Sequence, residues 1–197
     1  GENMARRKLV NIDEKILRET IKLGAQNGIN NIPARKVAKN CGITDATVFE
    51  HFRNKRNLIL QAKNFIEKEI LSIQPSIKMT MEEYEPTVRE AWESCFEYFV
   101  SHPDETKFYD NYRHSEHYTP SISGEKDGLV RKLYEFMRSL NPQLRHQGDF
   151  AYKIIWAHTV ETTINVALQI INGKLEKTPA ATDFVYDLIF GGIIGHK

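Results

Sequence analysis

Apolar residues recur along the chain at helical spacing, three and four positions apart, and no run alternates with the period of two that a half-buried strand needs. Ile16, Leu17, Thr20, Ile21 and Gly24 share one face of a first helix over about 13–26, which Asn27-Gly28 stops. Two short helices follow over about 33–40 and 44–49, joined by Cys41-Gly42-Ile43. Asn54 stands where it can cap a longer helix over about 55–73, ended by Pro75. Val88, Trp92, Cys95, Phe96 and Phe99 then fall on one stripe, and His102-Pro103 closes that helix. Phe108 to Tyr112 lies on a short helix, while 114–127, rich in Ser, Gly, Pro and His, reads as a loop. Leu129, Leu133, Phe136, Met137 and Leu140 mark a further helix closed by Asn141-Pro142, and two more occupy 148–171 and 180–195. The pattern predicts an all-α chain of roughly nine helices.

The sharpest local signal lies between Asn31 and Leu58. Val37-Ala38 supply the inner face of a short helix, and Gly42 stands where a tight turn needs positive φ. Ile43 plugs the gap between two helices and Thr44 caps the second. Val48 and Phe52 anchor that second helix from behind, which leaves Asp45, Ala46 and Thr47 facing outward. This is the layout of a helix-turn-helix over about 33–52, whose second helix places its N-terminal residues at base edges in the major groove of DNA. A plain αα-hairpin can carry the same turn.

Charge sharpens that choice. The net charge of +1 averages two unlike parts: residues 1–60 hold 12 Lys or Arg against 6 Asp or Glu, giving +6, and the rest hold 15 against 20, giving −5. The basic front carries the motif, and the acidic body would discourage DNA from binding elsewhere.

The segment resembles the N-terminal domain of the TetR (tetracycline-repressor-like) transcriptional regulators over about residues 9–70. The landmarks are Ile16-Leu17, Gly28, Val37-Ala38, Gly42-Ile43-Thr44 and Thr47-Val48-Phe49-x-His51-Phe52-x-x-Lys55-x-x-Leu58. The resemblance implies a homodimer, with three-helix heads on a double-stranded, palindromic operator and a helical-bundle domain over 71–197 that takes a small-molecule effector. It implies a repressor whose operator binding the effector modulates. Several positions depart from the family pattern. A large aromatic near the end of the first helix is replaced by Gly24, leaving a gap that Phe49 or Ile32 would have to fill. Pro33 stands in place of a capping Thr, Ala46 in place of Gly, and Phe49, without a hydroxyl, in place of Tyr.

The candidate DNA contacts divide into those that position and those that specify. Arg6, Arg7 and Lys8 are expected to form a flexible basic arm along the backbone or minor groove. Lys55 can offer its ammonium and a helix start to phosphate, and Arg35, Lys36 and Arg53 are basic neighbours. Thr47 and His51 resemble family phosphate contacts, although His51 could equally pack beside Phe52, and Thr44 and Phe49 are further DNA-binding candidates. Base reading falls to Asp45, Ala46 and Thr47: Asp45 can accept from cytosine N4 or merely suit the helix dipole, and Ala46 can touch a thymine methyl.

In the second half, aromatic and polar groups among apolar walls are candidate pocket lining as well as candidate core. Trp92, Cys95, Phe96, Phe99, Tyr109 and Tyr112 form one set, and Tyr134, Trp156, His158, Thr159 and Thr162 another. The helix over 148–171 is apolar on two faces, one of them Ile155, Thr159, Thr162, Val166 and Ile170. With 180–195 it is expected to build a four-helix bundle across a twofold axis. His114-x-x-His117 has ligand-like spacing but no third ligand, so no metal or cofactor is expected, and no catalytic constellation suggests an enzyme. The two cysteines, Cys41 and Cys95, do not make a disulfide framework, no signal segment is evident, and the longest unbroken apolar run, 188–195, falls short of the ~20 residues of a membrane helix. A cytoplasmic regulator is the expectation; a helical ligand-binding protein with a weakened head is the alternative.

Overall fold

A computed structural model describes residues 2–75, 80, 82–118, 129–140 and 142–194. Among these residues the chain is all-α, with no strand. The helices are α1 (Glu2–Asn27), α2 (Ala34–Cys41), α3 (Asp45–Phe52), α4 (Lys55–Ile73) and α5 (Tyr84–Ser101). They continue as α6 (Pro103–Arg113), α7 (Leu129–Leu140), α8 (Pro142–Trp156), α9 (Thr162–Ile171) and α10 (Pro179–Ile194). A 3-10 turn, Ile29–Asn31, follows α1, and a π turn, Ala157–Glu161, joins α8 to α9. The helix expected to start near residue 13 starts at Glu2, so the backbone of Arg6, Arg7 and Lys8 is helical where a flexible arm was expected. Their side chains lie outside the described residues, as does 119–128 of the expected loop.

Two compact units form: residues 1–69 with 104–118, and residues 70–103 with 119–197. In the first, Ile16, Thr20 and Leu23 of α1 are buried with Val37, Ala38 and Cys41 of α2 and Val48 and Phe52 of α3. Leu58, Ile59, Ala62 and Ile66 bring the inner face of α4 to the same core. The expected gap at Gly24 is filled by Phe108 of α6: a Cβ at position 24 would stand 2.5 Å from its Cδ2, with Ile32 Cδ1 at 3.2 Å. Ile32 therefore shares the space, and the aromatic that occupies it comes from 84 positions along the chain rather than from Phe49.

In the second unit α5 packs on α9 and α7, and α7 on α8. Trp92 of α5 stacks on Phe96 with centroids 5.1 Å apart, and its indole Nε1 donates to Thr163 Oγ1 at 2.9 Å. Thr163, not Thr162, is the buried residue, and the π turn is the reason. Ile155, Thr159, Thr163 and Ala167 are buried at steps of four residues. In a regular α-helix each such step drifts about 40° around the axis. The wider π turn absorbs the drift and keeps these four on one face. α8 is bent at Gly148, where φ is 50° and ψ −133°, and Tyr134 OH donates to the Gly148 carbonyl at 2.8 Å. Arg89 pairs with Glu93 and Asp183 and lies over the Tyr186 ring, joining α5 to α10. Burial pushes the Tyr186 phenol up to about 12, with Glu85 adding to the shift and Arg89 opposing it.

By length and composition alone, Phe150–Ile171 could cross a membrane. Its inward face is instead occupied by the core of the second unit, where Thr163 accepts from Trp92.

Candidate nucleic-acid interface

The turn between α2 and α3 forms as its residue types require. Gly42 adopts φ 73°, ψ 31°, the left-handed conformation that costs other residues a Cβ clash. Its N–H donates to the Lys39 carbonyl at 3.1 Å and the Ile43 N–H to the Ala38 carbonyl at 3.0 Å, so two otherwise orphaned carbonyls are satisfied as α2 ends. Thr44 Oγ1 then accepts from the Thr47 N–H at 3.2 Å and caps α3, while its hydroxyl lies 3.0 Å from that of Thr47. Val48 and Phe52 are buried behind, and Ala46 is exposed in the first turn with Asp45 and Thr47 half-buried beside it.

Several groups expected to meet DNA first meet the protein. Asp45 Oδ2 lies 3.3 Å from Arg35 Nε, an exposed pair that links the front of α2 to the start of α3. In such an exposed setting its Coulomb gain is small, so a base or phosphate can compete for either partner. His51 Nδ1 lies 2.5 Å from Asp13 Oδ1 on α1. That contact takes one ring nitrogen, Nδ1, and ties α3 to α1. His51 also neighbours the Phe52 ring at 6.4 Å between centroids, so packing and polar roles coexist. Lys55 Nζ donates to the Asn30 carbonyl at 2.6 Å, which holds the ammonium beside the first turn of α4. Asn54 Oδ1 caps that helix by accepting from Asn57 N–H at 2.9 Å.

Arg53 ends α3 with φ 63°, ψ −52°, a backbone conformation that a side chain disfavours. Its side chain is exposed, as are those of Arg35, Lys36 and Arg56, whereas Phe49 is half-buried. Asp13, Asn30 and Arg56 were not singled out from the sequence. The first two act on partners 38 and 25 residues away, a separation that no local pattern reveals. Arg56 had a visible signal, its place beside Lys55 after a capping Asn.

The candidate pocket residues are dispersed. Tyr109 and Tyr112 are buried in the first unit; the others belong to the second. Trp92, Phe96 and Phe99 are core, and Cys95 Sγ accepts from Gln74 Nε2 at 3.0 Å. Tyr134 is buried with Ala151, Tyr152 and Ile155, and Trp156 packs against that cluster. Thr159 Oγ1 donates to the Ile155 carbonyl at 2.7 Å, Thr162 is half-buried, and His158 Nε2 lies 2.8 Å from the Ile189 carbonyl on α10. An open cleft of about 420 Å³ lies between α5 and the start of α10. Glu93, Phe96, Glu97, Lys177 and Asp183 are among its walls, so of the candidate set only Phe96 reaches it.

Residues 16–62 match the family described as bacterial regulatory proteins, tetR family. Among solved structures, a TetR family transcription regulator from Marinobacter aquaeolei VT8 is similar with a TM-score of 0.73 at 14% identity, covering 93% of this chain and 96% of that one. A TetR-like transcriptional regulator from Rhodococcus sp. RHA1 is similar with a TM-score of 0.64 at 17% identity, covering 94% and 97%. NalD, the secondary repressor of the MexAB-OprM multidrug efflux pump in Pseudomonas aeruginosa, is similar with a TM-score of 0.55 at 13% identity, covering 94% and 96%. No curated protein sequence matches.

Proposed function

We propose that the chain is a DNA-binding transcriptional regulator of the TetR type, matched to that family over residues 16–62, and that it works as a twofold repressor released or engaged by a small molecule. Residues 9–70 serve as the DNA-binding domain, and 71–197 as the effector-binding and dimerising domain apart from 104–118, which pack in the same compact unit as the helix-turn-helix. One observation carries the reading: α3, capped by Thr44 and anchored by Val48 and Phe52, leaves Ala46 exposed in its first turn beside Asp45 and Thr47. That is the end of a recognition helix that meets base edges. Around it Arg35, Lys36, Thr44, His51, Arg53 and Lys55 supply phosphate contacts and Phe49 an apolar one, with Arg6, Arg7 and Lys8 on the helix leading in. Asp45 serves twice, since it pairs with Arg35 and can also accept from a cytosine amino group.

Dimerisation would use apolar surface that a lone chain leaves in water. Phe150 and Ile154 of α8 are 66% and 55% exposed, and Phe184 and Leu188 of α10 are 68% and 58% exposed. His158, in the π turn that follows α8, reaches the Ile189 carbonyl of α10. The repeats of four residues on each helix fit a two-helix face repeated about an axis. Two heads then meet half-sites of a palindromic operator, ~34 to 36 Å apart. For the effector, Trp156 Nε1 is a buried donor with no acceptor among the described residues, and Trp156 packs, with Met137 and Val160, against the cluster of Tyr134, Ala151, Tyr152 and Ile155. A ligand with an acceptor atom and an apolar body fits those groups, and it shifts operator affinity only by its differential affinity for the two head spacings. The chain acts on DNA, not as an enzyme, and therefore in the cytoplasm.

The test is selection from a random duplex library by the full chain, then by Ala46→Ser. Enrichment of an inverted repeat, with changed preference at symmetric positions in the variant, is the expected result. Enrichment of no sequence, or identical preferences in both proteins, would overturn the role given to α3.

A further inference from the structure

α6 follows the whole of α5 in sequence, yet its inward side chains complete the unit that carries the helix-turn-helix. Phe108 is fully buried, and its ring occupies the place where a Cβ on Gly24 of α1 would stand. Asn111 Nδ2 donates at 3.0 Å to the Gly24 carbonyl, the same oxygen that accepts from the Gly28 N–H at the end of α1. Tyr109 OH donates to Glu67 Oε1 at 2.8 Å, and the other oxygen of that carboxylate holds Lys63 Nζ at 2.6 Å. Lys63 is 5% exposed, so α4 carries a buried charge whose counter-ion is oriented by α6.

These ties meet the chain just ahead of the recognition element. The ring of Phe108 shares the space over Gly24 with Ile32, and Ile32 precedes Pro33, whose carbonyl accepts the first hydrogen bonds of α2. We infer that α6 is a working part of the DNA-binding unit and that Phe108 is a positioning residue for the helix-turn-helix, supplying from α6 the side chain that α1 lacks at Gly24. The inference rests on the reading of the head as DNA-binding. It also assigns the pair Gly24–Phe108 a specific complementarity: adding bulk at 24 is harmful only while the ring is present.

A double-mutant cycle tests this with Gly24→Ala, Phe108→Leu and their combination in the full chain, bound to a random-sequence duplex. Each single variant is expected to bind roughly tenfold more weakly, the first by overpacking and the second by a cavity, and the pair to recover most of that loss. Backbone amides of 37–52 should lose exchange protection in the singles and regain it in the pair, with 163–167 unchanged. A pair no better than the worse single, or a Gly24→Ala variant that binds as tightly as the native chain, would overturn the inference. If the native chain itself binds no DNA, the reading of the head fails, while the exchange data still decide the role of Phe108. Should a variant not fold, native-state exchange in urea on the unaltered chain decides: amides of 108–112 are expected to open together with those of 20–23. Opening with 164–167 instead, or one opening event for the whole chain, is the contrary result.

Discussion

Lys55→Met should flatten the salt dependence of DNA binding by a definite amount. Lys55 begins α4, and its ammonium donates one hydrogen to the Asn30 carbonyl, leaving two for a phosphate oxygen. The tie restricts a side chain that would otherwise lose most of its rotamer freedom on binding, so the charge is partly in place before DNA arrives. Each phosphate neutralised contributes about 0.9 to the slope of log affinity against log salt; two heads give about 1.8. Across a fourfold change in salt, from about 50 to 200 mM, the deficit of the variant should therefore shrink about twelvefold. Fluorescence anisotropy on a duplex of random sequence suffices, because a phosphate contact carries no base information. Loss of the exposed Asn30 contact would lower stability slightly without altering the slope, so urea unfolding separates the two effects. Equal slopes for variant and native chain would refute the placement of Lys55 at phosphate.

Two further outcomes bear on the second unit. Thr163→Val leaves the Trp92 indole N–H buried without its acceptor and should cost about 2 kcal/mol, roughly 6 °C in Tm, while Thr162→Val should change little. Calorimetry ranking the two in the opposite order would contradict the register imposed by the π turn. Phe184→Asp combined with Leu188→Asp should yield a monomer of unchanged helix content by sedimentation and circular dichroism, since both side chains are more than half exposed. A persistent dimer would place the interface elsewhere.

Local chemistry was enough to locate the helix-turn-helix. Gly42 turns because it lacks a Cβ, Thr44 caps because its hydroxyl reaches the Thr47 N–H, and both act within five residues of chain. Period together with stop and cap residues located the helices, including the stripe Val88 to Phe99, whose Val88, Trp92, Phe96 and Phe99 are buried, although α1 begins at Glu2 rather than near 13 and α8 at Pro142 rather than at 148. It failed at the helix over 148–171, because an ideal period passes through a π turn without registering it and puts Thr162 where Thr163 belongs. The basic front was likewise legible, yet which charges are free for DNA was not. Asp45 pairs with Arg35 and His51 with Asp13, and such pairing depends on helices brought together by folding.

What the chain determined by itself, then, is its helical class, its helix-turn-helix and the concentration of positive charge around that element, all of which arise from neighbours in sequence and from composition. Only the tertiary structure decided what fills the space over Gly24. The Phe108 ring arrives there from another helix, because packing rewards any side chain of suitable shape regardless of its place in the chain. The hydrogen bonds from Asn111 to α1 and from Tyr109 to α4 follow from that same packing, and with them the inclusion of 104–118 in the compact unit that carries the helix-turn-helix.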